Sequence, residues 1–283
     1  IGQNQILLFG RGVDLSQKED LFGYFLSSSE TFLNVDCAAA ENTAEEILRT
    51  PITGNAITSD KYPEMIRSAS DNGRCVEVSF TELLDRINSH EKTLVLPTFS
   101  LSQQTSGDSE GGESSGGEEK SDKLEERRLK ISSGAVYADG KFRAEISAEQ
   151  MGIYGMICDS GENVHAEISG GGRKYSETYR ISSRAVTASS EGEEIVFCIS
   201  ARAIPLDSQM FEAISDRSGS ETAAKREIEK KAAAFAEAMC AEFTPEIFGA
   251  DYFLMRHYPQ VYRQYADDPE ELYRHVRIAV EIE

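Results

Sequence analysis

The chain has no tryptophan, only four histidines and five cysteines, and too few cations for its acids: 29 Lys+Arg stand against 49 Asp+Glu, a formal net charge of −20. Each shortage excludes something. So acidic a chain disfavours long-range attraction to phosphate backbones, and no nucleic-acid partner is expected. His90, His165, His257 and His275 form neither H-E-x-x-H nor H-x-x-x-H, the spacings that set two imidazoles on one helix face. Cys37, Cys75, Cys158, Cys198 and Cys240 are far apart and include no C-x-x-C pair. That is neither a zinc signature nor a disulfide framework. They read as small buried hydrophobes, with a Cys158–Cys198 pairing left open. No apolar run approaches membrane-spanning length, and ILLF at Ile6–Phe9 is among the longest. Catalytic motifs are missing too. Gly10-Arg11-Gly12 begins a dinucleotide fingerprint without its third glycine, and Ser169–Glu177 lacks the phosphate-loop spacing. Both read as turns. There is no G-x-S-x-G elbow. No catalytic, cofactor-binding or metal-ligating residue, and no cofactor, is therefore expected.

What is present fits a globular α+β protein of two domains: 283 residues, 40% hydrophobic and 28% charged. The stretch from Ser102 to Lys123 has no aromatic and no aliphatic residue and is rich in Gly, Ser and Glu. Such a segment cannot bury enough apolar surface to offset its ordering entropy. The expected division is an N-terminal α/β domain at 1–101, a flexible acidic linker at 102–128, and a C-terminal domain of antiparallel sheet and long helix at 129–283. The early stretch QILLFGRG reads as the inside of a domain entered mid-strand, so the N-terminal domain is expected to be incomplete at its start.

Local signals place the elements. Capping boxes at Ser16–Glu19, Asn42–Glu45 and Ser79–Glu82 open helices. The first carries Leu21, Phe22, Phe25 and Leu26, and the second Ile47 and Leu48. A further helix is predicted over Asp60–Ser70. Asp139-Gly140 between two alternating runs predicts a hairpin. Ser147–Gln150 caps a helix despite Gly152 and Gly155, and three strand-like runs follow. Ser218–Glu221 opens a long helix with Ile228, Ala232, Phe235, Met239 and Phe243 on one face and a Glu227–Lys231 pair on the other. Pro245 ends it, and HVRIAVEIE closes the chain as a strand.

Aromatics gather between the last two elements. Tyr252, Tyr258, Tyr262, Tyr265 and Tyr273 lie within one stretch of the chain. Tyr258, Tyr262 and Tyr265 are spaced i, i+4, i+7 and so share a face of a short helix from Pro259. Packing is the first reading of that face. A partner contact through Arg256, Tyr258, Tyr262 and Arg263 is the second. Base stacking comes last, because carboxylates crowd the rings.

The order of these pieces resembles the Ger(x)C family of spore-germination proteins. The strand Gly134, Ala135, Val136, Tyr137, with Asp139, Lys141 and Phe142, then Glu149 and Gly152 in the following helix, matches the opening of the family's C-terminal region. Ile247, Phe248, Gly249, Arg256, Tyr258 and Pro259 match its closing pattern, and ENTAEEILRTP resembles its A-x-E-I-L segment. Glu246 stands where the family has Asp, and Tyr262 where it has a tryptophan. The resemblance implies a non-catalytic lipoprotein subunit of a nutrient germinant receptor on the outer face of the inner spore membrane. It would work beside two integral-membrane receptor subunits and be held by an N-terminal lipid that this chain does not include. Two other readings stand beside it. One is an extracytoplasmic protein that holds a small nutrient between its domains. The other is a hydrolase in which His257 or His275 meets a nucleophile brought near by folding.

Overall fold

Residues 5–17, 22–23, 35–50, 58–88, 92–103, 127–158, 160–170, 173–191, 194–206, 217–265 and 267–283 are described by a computed structural model of the chain. The expected helix after Ser16 and most of the acidic stretch at 102–128 lie outside these residues. Strands β1 (Ile6–Gly10) and β2 (Asp36–Ala40) run parallel, with Leu8 opposite Ala38. β3 (Thr93–Gln103) adds to β2 in parallel at Ala39↔Thr98 and Ala40↔Phe99. Cys37 to Ala40 are all buried, as expected of small residues in a strand covered on both faces.

β4 (Arg127–Ala138) pairs antiparallel with β3 from Thr93↔Ala138 to Gln103↔Arg127, and β5 (Lys141–Ser147) returns beside β4. The sequence assigned both strands to the C-terminal unit. They instead complete the first sheet, in the order β1-β2-β3-β4-β5, so that sheet crosses the 102–128 boundary. The physical reason is the edge. Without β4, the eleven-residue β3 would leave a row of backbone donors and acceptors unpaired. The β4–β5 turn has the predicted form, with Asp139 at φ 51 and Gly140 at φ 75.

The second sheet has the order β6-β7-β8-β9: β6 (Asn163–Gly170), β7 (Arg173–Glu191), β8 (Glu194–Pro205) and β9 (Val276–Ile282). It is not purely antiparallel, because β9 runs parallel to β8, with Phe197 opposite Ile278. A parallel neighbour needs a long crossover. The connection here contains a helix of 27 residues, Arg217–Phe243.

Four helices precede that one or pack beside it. α1 (Ala44–Arg49) is capped by Thr43, whose hydroxyl accepts from the Glu46 N–H at 3.2 Å. The cap thus falls one residue later than the predicted Asn42, which instead reaches Glu46 through its side chain at 3.5 Å. Thr43→Ala should cost about 1 kcal/mol in urea unfolding, the usual worth of an N-cap hydroxyl, and Asn42→Ala less. α2 (Thr58–Asp71) appears as predicted, and α3 (Phe80–Asn88) is capped by Ser79, which accepts from the Glu82 N–H at 3.1 Å. α4 (Ala148–Cys158) has the full reciprocal box. Ser147 Oγ accepts from the Gln150 N–H at 3.2 Å, and Gln150 Oε1 accepts from the Ser147 N–H at 2.8 Å.

The long helix, α5 (Arg217–Phe243), buries Ile228, Ala232, Phe235 and Met239 as its spacing requires. Two details differ from expectation. Ser218 lies inside its first turn rather than at the cap. Lys231 does not turn to Glu227. It donates to Glu149 Oε1 on α4 at 2.6 Å and to the Glu167 carbonyl at 3.2 Å, where a bond between elements also fixes their packing.

α4 joins the halves, with every residue from Met151 to Ile157 buried. Its glycines let backbone meet backbone. A Cβ on Gly152 would lie 2.0 Å from the Gly73 carbonyl oxygen. That oxygen also accepts from the His165 N–H at 3.2 Å. Beside it, Arg74 donates to His165 Nε2 at 3.0 Å, so Nδ1 carries the proton, toward Thr178 Oγ1 at 3.2 Å. Burial first, then Arg74, lowers the His165 pKa, which keeps the ring in that neutral form. One continuous core runs from Phe9 in β1 to Val280 in β9, and a smaller cluster sits on the outer part of the second sheet. None of the five cysteines is in a disulfide, Cys158 and Cys198 included. Burial raises the thiols of Cys37 and Cys75 far above their usual range, as the reading of small buried hydrophobes requires.

Candidate functional site

Beyond α5 the chain folds into short pieces over the second sheet. A 3-10 turn, Pro245–Phe248, leads through Gly249 at φ 73 into α6 (Ala250–His257). Tyr258 breaks α6 and precedes the single turn α7 (Pro259–Tyr262). Asp268 then caps α8 (Pro269–His275), accepting from the Glu271 N–H at 3.2 Å. The tyrosine spacing predicted one helix face. The structure gives a broken helix, because the residue before Pro259 is pushed out of the α region, with φ −132 and ψ 56 at Tyr258. The rings nevertheless reach a common place. Tyr258, Tyr262, Tyr265 and Tyr273 all pack on the cluster of Ile195, Phe197, Leu254 and Leu272.

The four residues singled out as a partner contact therefore divide. Tyr258 and Tyr262 are half-buried, and the Tyr258 hydroxyl accepts from the Ala188 N–H at 3.3 Å. Arg256 and Arg263 are exposed, and neither has an ion pair among the described residues. The apolar side chains that face solvent here are Tyr252, 55% exposed, and Met255, 47%. Sequence reasoning named Tyr252 only within the aromatic run and passed over Met255, although the two at i, i+3 mark a face of α6 separate from that of the buried Asp251 and Leu254.

α6 also walls a cleft of about 670 Å³, with α3 opposite and strands β7 and β8 as its floor. Phe253 is fixed there by Phe197 (centroids 5.5 Å apart) and by His257 (4.6 Å). Phe248 is held by Tyr154 at 6.2 Å and Phe235 at 6.1 Å. Arg86, Arg184 and Arg256 line it, with Glu82 and Asp85 on the α3 side. Arg184 donates to the Ile157 carbonyl. Burial raises the Glu82 carboxyl pKa against the opposing pull of Arg86. No sequence motif announced this cleft, because its residues come from seven separate elements.

A second hollow, of about 810 Å³, lies where the β4–β5 turn approaches the end of α5. Glu246 lines it, 8% exposed, with Oε1 unpartnered. Burial pushes its carboxyl up to about 7, the nearby Asp251 adds to that, and a hydrogen bond with Tyr273 opposes it. Thr244, at the mouth, holds φ 67 and ψ 163, a conformation L-residues rarely adopt. The sequence showed Glu246 only as a departure from a family pattern. A lone acid inside the apolar run Pro245–Phe248 was the signal to follow. His257 stacks on Phe253, while His275 lies against Tyr265 at 5.6 Å and Glu271 at 3.2 Å. Neither contacts a Ser or Cys side chain in these interactions. Among the described residues, no group of three or more His, Cys, Asp and Glu side chains could hold a metal ion.

Residues 1–101 match the family described as Spore germination protein N-terminal domain. No curated protein matches the chain. A crystal structure of the GerBC protein superposes on it with a TM-score of 0.62 at 11% identity, covering 99% of this chain and 78% of that one. At that identity the likeness shows the shared α+β fold. Residues 1–101 thus match a spore germination protein N-terminal domain, and nearly the whole chain shares the fold of the GerBC protein.

Proposed function

We propose that the chain is a non-catalytic subunit of a spore nutrient germinant receptor, acting in receptor assembly or in passing on the germination signal. The match of residues 1–101 to the germination-protein domain carries this reading. In it, the chain is held at the outer face of the inner spore membrane by a lipid on a preceding segment, beside two integral-membrane subunits. Among the described residues no helix is long and apolar enough to cross a membrane.

Contact with those subunits is assigned to the α6–α7 surface, where Tyr252 and Met255 are exposed beside Arg256 and Arg263. Aromatic and arginine side chains are the types that dominate interface energetics. The receptor complex should therefore co-purify with this chain, and the double variant Arg256→Glu, Arg263→Glu should weaken recovery about tenfold or more with the circular dichroism unchanged. A strain lacking the chain that germinated normally on every nutrient its receptor serves would refute the receptor reading itself. Full recovery by the double variant would refute only the assigned surface.

A further inference from the structure

We infer that the cleft between α3 and α6 is a binding site for a small organic monoanion with an apolar body, such as a monocarboxylate. Its volume, about 670 Å³, suits a small molecule rather than a docked protein element. Its aromatic wall is already built. Phe253 is clamped between Phe197 and His257, and Phe248 between Tyr154 and Phe235, so an apolar ligand would not have to order these rings.

Charge selects the sign. Across the chain acids outnumber cations 49 to 29, yet this cleft gathers three arginines against Glu82 and Asp85. Arg184 is oriented by the Ile157 carbonyl, and Arg86 sits on the wall that bears both acids. Arg256 has no hydrogen bond or ion pair among the described residues, and it stands in the last turn of α6 with its guanidinium available. A guanidinium fork grips a carboxylate through two parallel hydrogen bonds. The two acids on the facing wall, and the net charge of −20, disfavour a polyanion. A single carboxylate on an apolar body satisfies both constraints.

Calorimetric titration of the whole chain with hexanoate, 3-phenylpropionate and the neutral 3-phenylpropionamide tests this. At least one carboxylate should bind saturably, and the amide should bind about tenfold more weakly than 3-phenylpropionate. Arg256→Ala should weaken carboxylate binding about tenfold and leave the amide unchanged, with Arg256→Lys in between. Bound carboxylate should also slow alkylation of Cys158, which lines the cleft, and not of Cys240, which lines the other hollow. The inference is overturned if neither carboxylate saturates by about 10 mM, a weak limit for a specific site. Equal affinity of the amide, an unchanged Arg256→Ala affinity, or unaltered Cys158 alkylation would each overturn it as well. None of these outcomes touches the receptor reading, which co-purification tests separately.

Discussion

Gly152→Ala should destabilise the chain by about 3 kcal/mol or more, although alanine is the better helix former by about 1 kcal/mol. The local preference loses because of what faces the position. An added Cβ would lie 2.0 Å from the Gly73 carbonyl oxygen and 3.0 Å from its carbon. Neither atom belongs to a side chain that can swing away. Gly73 is itself pinned at φ 64, with its own missing Cβ 2.6 Å from the backbone of Val164 and His165. Pushing the carbonyl aside also breaks its bond from the His165 N–H, and with it the contact between the α2 end and the second sheet. Urea unfolding would show a lower midpoint. Gly12→Ala is the control: nothing lies within 4 Å of its Cβ position, and a change under about 0.5 kcal/mol is expected. Equal midpoints for Gly152→Ala and the parent would mean that α4 can shift away from Gly73.

That glycine also marks the limit of what the sequence made legible. Some signals confined to a few residues were readable and correct, although the Asn42 and Ser218 caps and the Glu227–Lys231 pair were not. Asp139-Gly140 announced its turn, Ser147 and Gln150 cap α4 reciprocally, and the apolar row from Ile228 to Met239 faces the core. Gly152 and Gly155 read as blemishes in a helix because their partners, Gly73 and Val76, are distant in the chain. The same holds for sheet membership. Nothing local to β4 says that it will pair with β3 across the acidic stretch rather than begin a new sheet, and nothing in HVRIAVEIE says that it will run parallel to β8. Pairing depends on which edge is open once the other strands are placed. The clefts are less legible still. Arg184, Phe248 and Phe253 are ordinary residues in the sequence, and they become a site only where β7, the 3-10 turn and α6 converge.

Glu246→Gln should stabilise the protein at pH 8 by about 2 kcal/mol and change little at pH 4. The sign follows from which state holds the proton. The folded carboxyl is raised from an ordinary value of 4.5 to about 7, by burial first and by Asp251 second. Between those values the folded chain binds a proton that the unfolded chain has released, so stability falls as pH rises through the window. Above about 7 both states are ionised, and the folded one bears the whole cost of a buried carboxylate that lies near a second acid. A tenfold difference in proton affinity between the two states is worth about 1.4 kcal/mol, and water in the adjoining hollow reduces the total. Glutamine keeps the shape, still accepts from Tyr273, and carries no charge. Asp251→Asn should act in the same direction through the repulsion alone, with a smaller gain, since burial is the larger cause. Urea unfolding of parent and variants across pH 4 to 8 measures the difference. A gain equal at both ends would show that the glutamine improves packing rather than removing a buried charge. Loss of stability at pH 8 would show that the ionised Glu246 is paired in the folded chain.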